Sequence, residues 1–167
     1  MLRNLVAAFV TLAAGSALAA DGLVTRVIDA DTAAIIVFPD DVPGIALVHR
    51  GKAKKGIVWD GAHIRISGID TPESFRPKCE REAKLAKKAK EMMKGYLHPG
   101  RHVKVENIKN GKYAGRLVAD VFIERDGKWI SVADEMISHG LAYPYDGGTK
   151  RSWCDGPLPK IGGLNGD

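Results

Sequence analysis

The chain has 167 residues, 45% hydrophobic and 27% charged, which suits one domain with a real core and excludes a multidomain machine. Its 25 Lys and Arg against 20 Asp and Glu give a net charge of +5. So mixed a balance argues against disorder and permits an anionic partner without requiring one.

At the amino end, Arg3 precedes an apolar run from Leu5 to Ala14 and small residues ending in Ala17-Leu18-Ala19. That pattern predicts a secretory signal over residues 1–19, with small side chains before the cut. A buried first helix is the alternative. The run is too short for a stable membrane anchor. Cleavage after Ala19 removes one cation, Arg3, and leaves 148 residues with a net charge of +4. The expected location is therefore periplasmic or secreted, with no membrane anchor in the mature chain.

From Leu23 to Phe38, β-branched and apolar residues are interrupted by Asp29-Ala30-Asp31-Thr32, which reads as two strands joined by a tight acidic turn. Residues 39–60 form a long connection with a short strand expected at Ile45 to Val48. The pattern resumes as His63-Ile64-Arg65-Ile66-Ser67, where a period of two turns Arg65 away from the isoleucine face. Asp70-Thr71-Pro72-Glu73 offers cap-type residues, and Glu80 to Leu97 predicts a helix with Ala86, Ala89, Met93 and Leu97 along one stripe. Pro99-Gly100 stops it. The lysines around that stripe read as a solvated face. His102 to Ile108 alternates, Leu117 to Ile123 presents an apolar face, and Asp126-Gly127 turns into Lys128 to Val132. Residues 133–139 predict a short helix ended by Gly140, and residues 147–167 read as a Gly- and Pro-rich tail. Five short strands with an interposed helix are compatible with a small closed barrel.

Cys79 and Cys154 are the two cysteines. In an oxidising compartment one bridge would close a loop of 76 residues, worth about 4 kcal/mol in the chain-entropy model; two free buried thiols are the alternative. Neither belongs to a C-x-x-C pair, so zinc and thioredoxin-like chemistry are poorly supported.

Three separated clusters hold hard oxygen ligands and guanidinium groups: Asp29, Asp31 and Thr32; then Arg65 with Asp70, Thr71 and Glu73; then Arg116. These types suit phosphodiester hydrolysis, in which a hard cation neutralises phosphate, a carboxylate handles water and arginines hold the charge on phosphorus. Singly, each has a structural reading: a hairpin turn, a helix start, a surface arginine. Other sites fail. Ala33 and Ala34 occupy an EF-hand's ligand and glycine positions, and Pro99-Gly100 breaks the helix that would aim His98 and His102 together. No Walker loop, G-x-S-x-G or H-E-x-x-H is present.

In order and kind, Val27-Ile28-Asp29-Ala30-Asp31-Thr32, then Ile64 to Glu73, then Ala114-Gly115-Arg116 with Gly140-Leu141-Ala142 resemble the thermonuclease (staphylococcal-nuclease-like) family, from Leu23 to about Tyr145. The resemblance implies an α+β fold, a five-stranded OB-type β-barrel with two packed helices over residues 20–146. It also implies Ca²⁺-dependent cleavage of DNA and RNA to 3′-phosphates. Carried over, Asp31 and Asp70 would ligate Ca²⁺ by carboxylate and Thr71 by its carbonyl. Glu73 would activate or position water, and Arg65 and Arg116 would grip phosphate oxygens. Asp29 is expected to shape the turn. Tyr113 and Tyr145 are the expected substrate contacts, Tyr113 at a terminal phosphate, although Ala114 separates it from Gly-Arg, a departure from the family pattern. Tyr143 or Tyr145 can stack on a base or serve as core or rim. Residues 39–60 form an insertion, the tail lacks a clear third helix, and Cys154 is placed to fasten that tail to Cys79. The expected protein is a monomer with nucleic acid as substrate and no stable protein partner. The rival class is an inactive OB-type module that binds nucleic acid or oligosaccharide; it would show erosion of the acid and arginine set.

Overall fold

The computed structural model describes residues 19–38, 61–112 and 115–158. The leader through residue 18, the strand expected at Ile45 to Val48, Tyr113 and Ala114, and the end of the tail lie outside the described residues.

Along the chain run β1 (Ala19–Asp29), β2 (Thr32–Val37), β3 (Ala62–Ile66), β4 (Ile69–Asp70), α1 (Glu80–Tyr96), β5 (His102–Asn110), β6 (Arg116–Arg125), β7 (Lys128–Ser131), α2 (Val132–Ser138) and β8 (Tyr143–Pro144). The main sheet runs β3-β2-β1-β5-β6-β7, and β3 also pairs with β6. That last pairing closes five strands into a barrel, as the resemblance implies, and it removes the open edges a flat sheet would expose. β7 extends β6 as the far arm of a hairpin whose corner, Asp126-Gly127, takes positive φ at both residues (53° and 72°). This geometry matches the twist of the flanking strands.

Alternation builds the interior. Val103 and Val105 from β5, Leu117, Ala119, Val121 and Ile123 from β6, and Ile64 and Ile66 from β3 are buried; the residues between them on β3 and β6 face outward. On α1 the stripe Ala86, Ala89 and Met93 is buried, with Leu97 following at the C-cap. α2 starts at the Ser131 cap, whose hydroxyl accepts from the Asp134 N–H (3.2 Å), and buries Val132 and Met136. Among the described residues no helix is long and apolar enough to cross a membrane.

Two expectations shift. The cap-type residues Asp70 to Glu73 do not start the helix: Asp70 belongs to β4, residues 71–79 form a loop, and Cys79 caps α1. The chain from Gly147 is more than a tether, since Trp153 is buried against Tyr143 with ring centroids 4.4 Å apart. Cys79 and Cys154 are joined (Cα–Cα 5.9 Å), which excludes the free-thiol alternative.

Candidate active-site cleft

Three distant stretches meet because of how the barrel closes. β2 pairs with β3 so that Thr32 faces Arg65, and the N–H of Ile66 donates to the Asp31 carbonyl at 2.8 Å. β3 pairs in parallel with β6, with His63 facing Arg116 and Arg65 facing Val118. Arg65 and Arg116 are therefore diagonal neighbours on the outer face, within reach of long side chains. Gly68, at φ 76°, turns β3 into β4 and so sets Asp70 beside Arg65's strand. β8 then pairs with β4, and the Tyr145 N–H donates to the Gly68 carbonyl at 2.9 Å.

The result is a cleft of about 700 Å³ whose walls include Asp31, Arg65, Thr71, Glu73, Arg116 and Tyr145. Asp70 adjoins it and is almost fully buried, its side chain 3% exposed. Arg65 spans the site. One guanidinium nitrogen, Nη1, is ion-paired with Asp31 Oδ2, and Nη2 donates to the Ile69 carbonyl at 3.0 Å. Burial, and then the positive charge of Arg116, push the Arg65 pKa down; Asp70, Tyr145 and Asp29 pull the other way. A guanidinium stays charged under such pressure, so the cleft concentrates two cations where an anion can relieve their repulsion.

The carboxylates are held differently. Thr32 Oγ1 donates to Asp31 Oδ1 at 2.7 Å. Among the described residues, Asp70 Oδ1 finds no aligned hydrogen-bond donor; its company is the Lys150 ammonium at 2.5 Å. Asp29 shapes the turn as expected, accepting from the Ala30 N–H and from Ser74 Oγ, both at 2.8 Å. Glu73 is exposed, and its Oε1 accepts the Phe75 N–H at 2.9 Å. Tyr143 and Tyr145 part ways. Tyr143 is buried, its hydroxyl donating to the Pro157 carbonyl at 2.8 Å, so it serves the core, while Tyr145 lines the cleft.

Two contributors escaped the sequence reading. Glu82, 5% exposed, clamps the loop that carries Glu73: Oε1 accepts the Glu73 N–H at 3.2 Å and Oε2 the Lys78 N–H at 2.6 Å. Its signal was its place on the apolar stripe, one turn before Ala86. Lys150, together with Gly147, lines the cleft from the tail, where no periodicity marks it.

Fold and cleft define an OB-type barrel with a mixed cationic and acidic pocket on its outer wall. The family model described as staphylococcal nuclease homologue matches residues 63–153, more than half of the chain, and the protein belongs to that family. No curated protein matches the chain. Membership supports a nuclease-like or nucleic-acid-binding role. The match runs from β3 into the tail, so it takes in Lys150 as well as Arg65, Asp70, Glu73 and Arg116.

Proposed function

We propose that the protein is an exported, Ca²⁺-dependent nuclease that hydrolyses DNA and RNA with little sequence preference and leaves 3′-phosphates. The observation that carries this reading is the convergence of Arg65, Arg116, Asp31 and Glu73 on one cleft. An inactive binding module has no need of that combination. Backbone phosphates would supply the affinity without sequence information.

Asp31 and Asp70 would hold the cation by carboxylate and Thr71 by its carbonyl. The donor set fits: all are hard oxygens, Asp70 Oδ1 is buried without an aligned donor, and each carboxylate already draws a cation of the chain, Arg65 or Lys150. Bound there, Ca²⁺ supplies neutralisation of phosphate charge and a lowered pKa for water. Glu73 takes the proton of the attacking water, or orients that water, through an exposed carboxylate whose direction is fixed by the Phe75 N–H. The water oxygen bonds to phosphorus, the P–O5′ bond breaks, and the 5′ oxygen leaves as a hydroxyl with a proton drawn from solvent, to which Glu73 returns its own. Arg65 and Arg116 hold the non-bridging oxygens, and their forks pair with phosphate in a way an ammonium does not.

Export draws support from the Cys79–Cys154 bridge, which suits an oxidising compartment. Cleavage after Ala19 would leave Ala20 and the rest of β1 intact in its register with β5. The deciding experiment incubates the mature protein with single-stranded DNA or RNA, with Ca²⁺ or with excess chelator, and identifies the fragment ends. Fragments with 3′-phosphates in Ca²⁺ alone are expected. Cleavage undiminished in chelator defeats the metal assignment, and binding without cleavage leaves the binding-module reading in its place.

A further inference from the structure

A lone exposed phenyl ring needs no explanation on most surfaces. Phe75 is a different case. At 80% exposure it is the most exposed large hydrophobic among the described residues, and it sits on a loop held from several sides. Pro72 and Pro77 flank it, Ser74 is tied to Asp29, and Glu82 grips the N–H groups of Glu73 and Lys78. The disulfide at Cys79 closes the loop's far end. These bonds hold the backbone on either side of a ring that stands in water.

Its neighbours are those of a strand-binding site. The Phe75 N–H donates to Glu73 Oε1, which ties the backbone that carries the ring to a residue of the cleft wall. The Arg76 guanidinium lies 5.3 Å from the ring centroid, and Arg76 and Lys78 are both exposed. An aromatic face with cations beside it offers a base a surface to stack on and the adjoining phosphates a counter-charge.

We propose that Phe75 is a stacking platform for an unpaired nucleobase next to the phosphate held in the cleft, and that it biases the protein towards single strands. This rests on the nuclease reading above. In a duplex the bases are already stacked on one another, so the platform gives a duplex less.

The test measures binding of a fluorescent oligonucleotide by anisotropy, in chelator, as a single strand and as a duplex of the same sequence. Wild-type protein is compared with Phe75→Ala, Phe75→Leu and Phe75→Trp. Phe75→Ala is expected to weaken single-strand binding by about 5- to 150-fold and duplex binding less. Phe75→Leu should follow Ala, because it is apolar without a π-face, and Phe75→Trp should retain affinity and show quenched indole emission on binding. Unchanged single-strand affinity in Phe75→Ala, or an equal loss on both substrates, overturns the proposal while leaving the nuclease reading standing. A wild-type protein that binds neither substrate in chelator and cuts neither in Ca²⁺ overturns both. Sedimentation is run in parallel, and loss of a dimer in Phe75→Ala would give the ring to a second copy of the chain and overturn the stacking role.

Discussion

Replacing Lys150 by Met should tighten Ca²⁺ binding. The Lys150 ammonium lies 2.5 Å from Asp70 Oδ1, with the carboxylate side chain 3% exposed and the lysine 57% exposed. Two unit charges at that separation attract by about 1.7 kcal/mol in bulk water. Burial of the carboxylate strengthens the pair, but the half-exposed lysine gives back rotamer freedom and feels solvent screening, as exposed ion pairs generally do. A net of about 1 to 2 kcal/mol has to be surrendered before a divalent ion can take Asp70, which corresponds to a gain in affinity of about 5- to 30-fold when the ammonium is removed. Methionine keeps most of the stem's apolar contact and loses only the charge. Calorimetric titration of Ca²⁺ into wild type and Lys150→Met, without nucleic acid and at fixed ionic strength, measures the difference directly. The gap should narrow as salt rises, because the lysine end of the pair is screened. A folded variant with equal or weaker Ca²⁺ affinity would refute the argument that this ammonium stands where the ion must go.

Glu73→Gln should lower turnover by about 10²- to 10⁴-fold with oligonucleotide binding retained, and wild-type turnover in that variant would remove Glu73 from the chemistry. Glu82→Ala removes the buried carboxylate that accepts from the Glu73 and Lys78 N–H groups; losing two hydrogen bonds to a charged group should cost about 2 to 5 kcal/mol in a urea melt and reduce kcat more than KM. Glu82→Gln should recover part of both, and an unaltered kcat in a folded Glu82→Ala would show that the clamp is irrelevant to Glu73. Reducing the Cys79–Cys154 bridge frees a loop of 76 residues and should destabilise the protein by about 4 kcal/mol in denaturant titrations. Coincident curves with and without reductant would mean the bridge does not constrain the unfolded chain.

The strands of the barrel and the side chains on them were legible because a period of two is a local property. Ile64 and Ile66 flank Arg65, and Leu117 follows Arg116, so any register that buries the aliphatics turns both guanidiniums outward. α1 was readable from its stripe and runs from Glu80 as expected, but its capping residue was not readable. Asp70 to Glu73 have the residue types of a helix cap, yet tertiary pairing draws Asp70 into β4 and leaves the cap to Cys79, whose sulfur is also bonded to Cys154. Tyr143 and Tyr145 looked alike for the same reason: strand parity separates one from its neighbour, not from a tyrosine two residues on. The β8 pairing and Trp153 decide which is buried.

What local patterns could not contain is the meeting of the two arginines. It depends on β3 lying parallel to β6, a contact between segments about fifty residues apart with a helix and two strands between them, and nothing in either segment specifies its partner. The residues least visible in the sequence, Glu82 and Lys150, hold the cleft's acidic groups from outside the barrel: one through two backbone N–H groups, the other through a charge brought in by the tail that Cys154 fastens. Glu82 looked like any polar residue of a helix and Lys150 like any cation of a tail, because each acquires its role only from what the folded chain sets beside it. On the proposed reading the tail gains a part in the site: the disulfide fixes the segment that presents the ammonium to Asp70, so tail anchoring and cation affinity would be coupled through one ion pair.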